Sequence, residues 1–332
     1  MLMKKTAILL VNLGTPNQPT TTSVRSYLKE FLSDRRVIDI PKWKWMPVLH
    51  GIILRARPPK TAALYQSIWT EEGSPLLTIS LKQKKELEKQ ISDPNIKIAL
   101  AMNYGQPSIE QELEKLHKWG MQRLILLPLF PQYSSTTTAS IWDHVNQTLS
   151  KWRDIPEVIF IRDYPDHPIW IKLLKKRIKQ CTKQHGHPDA LLLSYHGIPE
   201  RYAVEGDDYP SQCLKTTLAL KNELPNYTII TSYQSKFGKE PWLGPSTSDT
   251  LRHLAESGSK HVHIMAPSFT VDCLETLEEL EVENRTIFMK YGGDNYHYIE
   301  AANDDPLFIE CLVDLIKPYL HQPYIISKEQ TI

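Results

Sequence analysis

Short apolar runs recur along this chain, and each is followed by a turn signal and then by a helical pattern. The clearest runs are Thr6–Leu13, Arg123–Phe130 and Ala190–Tyr195, and Gly or Pro follows each of them within two residues. The leucines at 191–193 suit a strand that is covered on both faces. The alternation therefore predicts an α/β protein whose parallel sheets carry helices on both sides.

The length of 332 residues predicts two domains. We place the first at 1–162 and the second at 163–305, and we expect the last helix, 306–320, to pack back on the first domain. Gly120–Phe130 is similar to Gly258–Phe269, because in both a glycine precedes a strand that ends at proline and phenylalanine. This similarity favours two domains of the same kind that face each other across a cleft.

Composition argues against several classes of protein. The formal net charge of +1 provides no basic field for nucleic acid. The four cysteines form no C-x-x-C pair, and no G-x-G-x-x-G follows the first strand, which argues against structural zinc and a nicotinamide site. No secretory cleavage site follows the N-terminus, and no apolar run approaches the ~20 residues of a membrane span. We therefore expect a cytoplasmic protein with reduced thiols.

The segment 37–60 interleaves bulky apolar and basic side chains. Trp43 and Trp45 lie among lysines, and Arg55 and Arg57 follow. Such a segment fits a core helix with solvated lysines, a lip over a large apolar ligand, or an interfacial segment on a membrane. Because the tryptophans lie so close to lysines, we favour the lip or the membrane-facing segment.

His196 stands at the carboxyl end of the strand Ala190–Tyr195, where Gly197 and Pro199 break the apolar run. In an open α/β sheet, ligands bind in the crevice outside the carboxyl ends of the strands. His196 is therefore either a cleft residue that takes part in chemistry or a turn histidine that binds a backbone group.

An acidic row occupies 271–283, which the sequence predicts to be helical. Glu275, Glu279 and Glu283 recur every fourth residue, so they share one face of that helix. The row is either a solvated acidic face or a ladder of oxygen ligands for a divalent metal. The loop before it holds Trp242, which is either a core side chain or a flat wall for a planar ligand.

Six segments resemble those of the ferrochelatase family, and they occur in family order over nearly the whole chain. These segments are Asn12–Pro16, Pro131–Thr138, Leu193–Pro199 with Gly206–Tyr209, Tyr233–Lys236, Pro241–Pro245 and Asp272–Glu275. The resemblance implies a lyase that inserts Fe²⁺ into protoporphyrin IX, the last step of heme synthesis. It also implies two flavodoxin-like domains, of the Rossmann-like type, with the porphyrin in the cleft between them.

The resemblance also implies roles for single residues. His196 and Glu275 match the pair nearest the site of metal insertion, and Glu279 and Glu283 match the acidic row behind them. The positions that it matches to the porphyrin cleft are Leu13, Tyr104, Tyr133 and Trp242. Residues 37–60 match the hydrophobic lip, which faces the bilayer in membrane-associated relatives, so peripheral membrane contact through this segment is part of the prediction.

The residue types suit such a reaction. A free-base porphyrin carries two N–H protons that the metallated product lacks, so another group must accept them. Neutral histidine is a suitable base near neutral pH, and carboxylates can hold a divalent ion and relay protons outward. Imidazole also binds Fe²⁺. His196 is therefore predicted as proton acceptor, metal ligand or both, with Fe²⁺ as a substrate and no permanently bound cofactor.

The chain departs from the family pattern at several positions. Cys273 stands where many relatives have a second histidine, and Asn103 stands where an arginine is common. Ser135 replaces a cysteine of cluster-bearing relatives and no cysteine follows Cys311, so we expect no iron–sulfur cluster. The alternatives are a chelatase for coproporphyrin or another tetrapyrrole or metal, and a non-catalytic heme-binding protein. A flavodoxin-like electron carrier is disfavoured, because no phosphate-binding loop follows the first strand.

Overall fold

The computed structural model describes residues 4–320, which form two parallel sheets of four strands each. The first sheet contains β1 (Thr6–Thr15), β2 (Ile96–Gly105), β3 (Arg123–Pro128) and β4 (Glu157–Phe160). The second contains β5 (Ala190–His196), β6 (Ile229–Gln234), β7 (His261–Met265) and β8 (Asn295–Ile299). The strands lie in the orders β2-β1-β3-β4 and β6-β5-β7-β8, so the two sheets share one topology.

The shared topology confirms the predicted α/β fold class and explains the internal sequence similarity. The similar segments supply β3 and β7, which occupy equivalent positions in the two sheets. Gly120 and Gly258, which end the preceding helices, have φ angles of +86° and +98°. Glycine adopts this left-handed conformation without strain, which accounts for its presence at both helix ends.

Helices cover both sheets, and polar caps begin several of them. Thr20 accepts a hydrogen bond from the backbone N–H of Ser23, and Ser108 accepts one from that of Gln111. The helices of the first half are α1 (Thr21–Ser33), α2 (Lys42–Val48), α3 (Leu54–Ile68), α4 (Pro75–Gln90), α5 (Ile109–Lys118) and α6 (Ser140–Leu149). Those of the second half are α7 (Pro168–His185), α8 (Glu200–Val204), α9 (Tyr209–Glu223), α10 (Thr247–Glu256), α11 (Arg285–Lys290) and α12 (Pro306–Ile316).

Three segments have π-helical rather than α-helical hydrogen bonding. They are Leu49–Ile53, Ser135–Ala139 and Glu275–Asn284. The helix predicted over 271–283 therefore begins later and has wider turns, because its backbone bonds run from residue i to i+5. Segments of this kind are rare and often lie at functional sites.

One hydrophobic core joins the two halves. Leu10 of β1, Leu193 of β5 and Phe308 of α12 belong to the same buried cluster. Helix α12 packs against both α4 and α7, and the predicted boundary near residue 162 lies between β4 and α7. Within 4–320, no helix is long and apolar enough to cross a membrane.

Candidate active site

A small cavity of about 10 Å³ lies where the first sheet meets the long π-helix of the second half. Leu13, Gly14 and Thr15 at the carboxyl end of β1 line one wall, and Cys273, Leu274 and Glu275 line another. The buried side chains of Tyr27 and Tyr65 contribute to the same lining. The structure thus brings Leu13 and Glu275 together, although 262 positions separate them in the sequence.

Leu13 is held in place by the residues on either side of it. The Asn12 side-chain oxygen accepts the Leu13 N–H at 2.8 Å, and the Asn12 amide donates to Ser80 at 3.0 Å. Gly14 has a φ angle of +111°, and a Cβ there would lie 1.8 Å from the carbonyl oxygen of Tyr104. Only glycine allows the ends of β1 and β2 to approach so closely.

His196 ends β5, with its side chain half-buried. Its Nδ1 lies 2.7 Å from the carbonyl oxygen of Gly197, and its backbone N–H donates to the hydroxyl of Ser268. A carbonyl oxygen can only accept, so Nδ1 carries the proton of the neutral ring. Nε2 is then left with a lone pair that can take a proton or bind a metal. The turn-histidine interpretation is therefore confirmed, and the functional interpretation, which needs only Nε2, stays a prediction.

Gln234 links the end of the histidine strand to the acidic helix. It pairs with His196 in the sheet and accepts the Gly197 N–H through its backbone carbonyl at 2.8 Å. Its side-chain amide donates to the Glu275 carbonyl oxygen at 2.9 Å and to the Glu279 carboxylate at 3.2 Å. Gln234 therefore connects the backbones of His196 and Glu275 to the side chain of Glu279, three residues that the resemblance groups at one site.

Glu279 is a half-buried carboxylate with hydrogen-bond donors on one side. The backbone N–H and the hydroxyl of Ser235 both donate to it, and Ser235 adopts a φ angle of +62°. Burial raises the pKa of Glu279, while the Ser235 hydrogen bonds and the charge of His196 oppose this shift. Nearby Glu275 adds to the increase. Glu279 is therefore not a member of a fully solvated acidic face.

The acidic row leads from the cavity towards solvent. Glu275 and Glu279 are half-buried, whereas Glu283 is exposed. Glu278 directly precedes Glu279 in the sequence. Burial raises its pKa most, and the charges of Glu283 and Glu279 raise it further. Closely spaced carboxylates of this kind can share and pass on protons.

Asp272, three residues before the π-helix begins, anchors the start of that helix through its carboxylate. Its buried carboxylate accepts hydrogen bonds from the side chains of Thr276, Tyr298 and Asn303 and from the Ala301 N–H, at 2.6 to 3.3 Å. In the sequence, Asp272 stands out only as the first residue of a segment that matches the family. The structure instead shows that it fixes the helix to the chain that follows β8.

Trp242 lies beside the turn that follows β5 and His196. Its backbone forms a bridge with Pro199, and a Cβ on Gly197 would lie 3.0 Å from its ring. The indole N–H is buried and has no acceptor among the described residues. Trp242 therefore packs on the residue that follows His196, with its side chain only half-buried.

The two tyrosines assigned to the porphyrin cleft differ in accessibility. Tyr133 is half-buried, and the guanidinium of Arg162 lies 3.8 Å from its ring centre. Tyr104 is only 1 % exposed, and its hydroxyl donates to Asp34 at 2.6 Å. The hydroxyl of Tyr104 is thus occupied by Asp34 and its side chain is buried, and the porphyrin contact that the resemblance implies for it stays a prediction.

Residues 37–60 have one buried side and one exposed apolar side, and the lip and membrane-facing interpretations stay predictions. Trp45 and Leu49 are buried, so part of the segment is a core helix. Trp43 is 75 % exposed and Ile52 is 62 % exposed, which leaves large apolar side chains on the opposite side. Tyr202, which follows the His196 turn, donates to the Val37 carbonyl at 3.0 Å and so connects this segment to the site.

The side chains at the site do not form a complete metal cage. No three His, Cys, Asp or Glu side chains within 4–320 are arranged to hold a metal ion. Cys273 is buried, and burial, together with the charge of Glu275, raises the pKa of its thiol. A neutral thiol is a weak metal ligand.

Sequence comparisons identify the family of this chain. The family model described as Ferrochelatase matches residues 5–320. The chain belongs to the ferrochelatase family. A coproporphyrin III ferrochelatase of Symbiobacterium thermophilum is 54 % identical over 96 % of this chain and 99 % of its own length. A ferrochelatase of Pectobacterium atrosepticum is 51 % identical over 95 % and 99 % of the two chains.

Structural comparison agrees at the level of the fold. SirB from Bacillus subtilis, solved with Fe³⁺, has a TM-score of 0.58 to this chain at 13 % identity and covers 95 % of both chains. The identity is low, so this likeness supports the chelatase fold alone. Family membership makes the chain a lyase, and the ferrochelatase family acts on porphyrin and iron.

Residue-level reasoning missed three members of the site: Gln234, Ser235 and Ser268. Gln234 and Ser235 lie within a segment that matched the family, but uncharged side chains gave no reason to assign them a role. Serine rarely adopts a positive φ angle, so nothing in the sequence predicts one at Ser235.

Proposed function

We propose that this chain is a ferrochelatase that inserts Fe²⁺ into protoporphyrin IX and releases two protons. The observation that carries the proposal is the connection of His196, Glu275 and Glu279 through Gln234, with Glu275 also lining the cavity beside Leu13. A base and an acidic row beside an apolar wall suit a planar, hydrophobic substrate that must lose protons.

In this proposal, His196 accepts a pyrrole proton or binds the incoming Fe²⁺ at Nε2. Its Nδ1–H remains bound to the Gly197 carbonyl oxygen in either role. The porphyrin nitrogens supply the ligands that the protein side chains lack. Trp242 and Leu13 act as walls for the macrocycle, and Tyr133 lies farther along the same edge of the first sheet.

Glu279 and Glu283 carry protons away from the reacting nitrogens. Burial raises the pKa of Glu279, which brings the carboxyl group closer to accepting a proton at neutral pH. Glu283 is exposed and completes the path to solvent. Glu275, at the cavity, is the carboxylate nearest the metal in this scheme.

Two substitutions test these roles directly. We expect His196→Ala to abolish Fe²⁺ insertion. Porphyrin affinity should stay within about threefold of wild type, because the residues proposed as cleft walls, Leu13 and Trp242, are unchanged. Glu275→Gln should have the same pattern. Insertion is followed by absorbance and affinity by fluorescence titration, with exposed His253→Ala as the control. Near-normal turnover in His196→Ala would contradict the proposal.

Coproporphyrin III is the second candidate substrate, because a relative at 54 % identity bears that name. It differs from protoporphyrin IX in having four rather than two carboxylate side chains. Insertion rates with the two porphyrins, measured side by side under saturating Fe²⁺, separate the alternatives. A kcat/KM more than about tenfold higher for coproporphyrin III would replace protoporphyrin IX in the proposal.

The proposed enzyme works without an iron–sulfur cluster. All four cysteines are buried, and none pairs with another. Iron and acid-labile sulfide analysis of protein purified without oxygen tests this, and stoichiometric sulfide would contradict it.

Residues 37–60 are also proposed to touch a membrane surface, since Trp43 and Ile52 are exposed. Trp43→Ser/Ile52→Ser should then weaken flotation with phosphatidylcholine vesicles. Unchanged flotation would remove this part of the proposal.

A further inference from the structure

A second groove lies on the outer side of α1, away from the catalytic cavity. It has a volume of about 420 Å³, and it is lined by Arg25, Ser26, Lys29, His50, Leu54 and Arg55. Tyr27, which lines the catalytic cavity, is two residues from both Arg25 and Lys29. Two residues are about 200° of rotation along a helix, so the two cavities lie on opposite faces of α1.

The charge of this groove is unusual for this protein. Its lining contains two arginines, a lysine and a histidine, and no carboxylate. Eight of the twelve arginines in the chain lie within 4.0 Å of a carboxylate, and all twelve are in the described part. Arg25 and Arg55 are two of the four that do not. The whole chain has a formal net charge of only +1, so the concentration of unpaired charge is local.

A hydrogen bond to the Leu54 carbonyl, which Pro58 leaves without its helical partner, fixes the Arg25 side chain in the groove. In an α-helix, the carbonyl of Leu54 would accept the N–H of residue 58, but Pro58 has none. The Arg25 Nε donates to this free carbonyl oxygen at 2.9 Å. The guanidinium is thereby anchored, and its two terminal nitrogens have no partner among residues 4–320. An anchored fork of donors loses little freedom when it binds an anion.

The geometry points to a binding site for a phosphate-type oxyanion in this groove. Arg25 and Arg55 supply planar donors, Lys29 supplies a point charge, and the hydroxyl of Ser26 can assist. A bound dianion would also relieve the mutual repulsion of these side chains. The phosphate can come from a free anion or from a phospholipid headgroup, because exposed Trp43 and Ile52 lie on the adjoining helical segment. The proposal does not depend on porphyrin metallation.

The test compares two double variants of the full-length chain. Lys29→Gln/Arg55→Gln removes two charges from the groove and leaves the anchored Arg25 in place. Lys118→Gln/Arg153→Gln removes two exposed charges that also have no carboxylate partner among the described residues, so it is the matched control. Circular dichroism and the midpoint of urea unfolding check that each variant folds.

Two probes separate the sources of the phosphate. Pyrophosphate binding is measured by calorimetry at low salt, and vesicle binding by flotation with phosphatidylglycerol against phosphatidylcholine. We expect the groove variant to lose at least about tenfold in affinity for one probe, while the control variant matches wild type. Loss towards pyrophosphate identifies a free anion, and loss only towards phosphatidylglycerol identifies a headgroup. No wild-type binding to either probe, or equal losses in both variants, overturns the proposal.

Discussion

The second sheet buries a histidine that we expect to make the fold sensitive to acid. His263 lies on β7, its side chain is fully buried, and its Nδ1 has no hydrogen-bond partner within 4–320. Burial first, and then repulsion by nearby histidines, lowers its pKa from 6.5 to about 3. The nearby histidines are His185, His187, His261 and His297.

The effect on stability follows from proton linkage. Below pH 6.5, the unfolded chain protonates this residue while the folded protein keeps it neutral, so the unfolded state binds more protons. The contribution of neutral His263 to the free energy of unfolding is therefore fully present above about pH 6.5. It is lost progressively as the pH falls towards 3. At about pH 5, this single group lowers the free energy of unfolding by about 2 kcal/mol.

Urea unfolding at about pH 7.5 and about pH 5 measures this loss. His263→Phe keeps a ring of similar size but cannot titrate. The decrease in its free energy of unfolding between the two pH values should therefore be about 2 kcal/mol smaller than that of wild type. His253→Phe, on an exposed face of α10, is the matched control and should behave as wild type. An equal pH dependence in wild type and a folded His263→Phe would refute the reasoning.

Two further predictions concern the site and the segment that leads to it. Gly197→Ala would place a Cβ 2.9 Å from the Gln234 carbonyl oxygen and 3.0 Å from the Trp242 ring, so we expect a loss of about 1–3 kcal/mol in urea unfolding and a changed tryptophan fluorescence. Unchanged fluorescence would mean that the Trp242 loop tolerates the added methyl group. Trp45→Ala should cost about 3–5 kcal/mol, because this side chain is 9 % exposed and its N–H donates to the Leu32 carbonyl. Trp43→Ala should stay within about 0.5 kcal/mol of wild type, and equal losses in the two variants would show that the exposure pattern is misread.

Continuous apolar runs were sufficient to locate β1, β3 and β5, but the strand β8 was not predicted, and the accessibility of single side chains could not be. Continuous apolar runs predict buried strands, and β1, β3 and β5 lie where those runs occur. For the same reason, the runs do not show which side chain reaches the cleft. Strand β2 is covered on both faces, so nothing in its pattern predicts that Tyr104, near its end, is as deeply buried as the strand interior.

The π-helix was missed for a related reason. A four-residue repeat of glutamates fits an α-helix and also the wider turn of a π-helix, so spacing alone cannot separate them. What distinguishes the two is long-range. The Asp272 carboxylate accepts hydrogen bonds from the Tyr298 hydroxyl in β8 and from the Asn303 side chain after it, at 2.6 and 2.7 Å. These contacts depend on the folded second sheet and have no counterpart in local sequence.

Coupling between His196 and Glu279 gives the proposed reaction a direction. The positive charge of a protonated His196 lowers the pKa of Glu279, whereas burial raises it. Each proton captured at His196 therefore makes the Glu279 carboxyl group a stronger acid. A proton released from Glu279 finds the exposed Glu283 one turn farther along the same helix. When His196 returns to neutrality, the burial of Glu279 again favours protonation. In the proposed reaction, capture of a pyrrole proton at His196 thus promotes release of a proton that Glu279 already holds, and the proton on His196 then passes to the emptied Glu279 carboxylate, so each cycle moves one pyrrole proton outward.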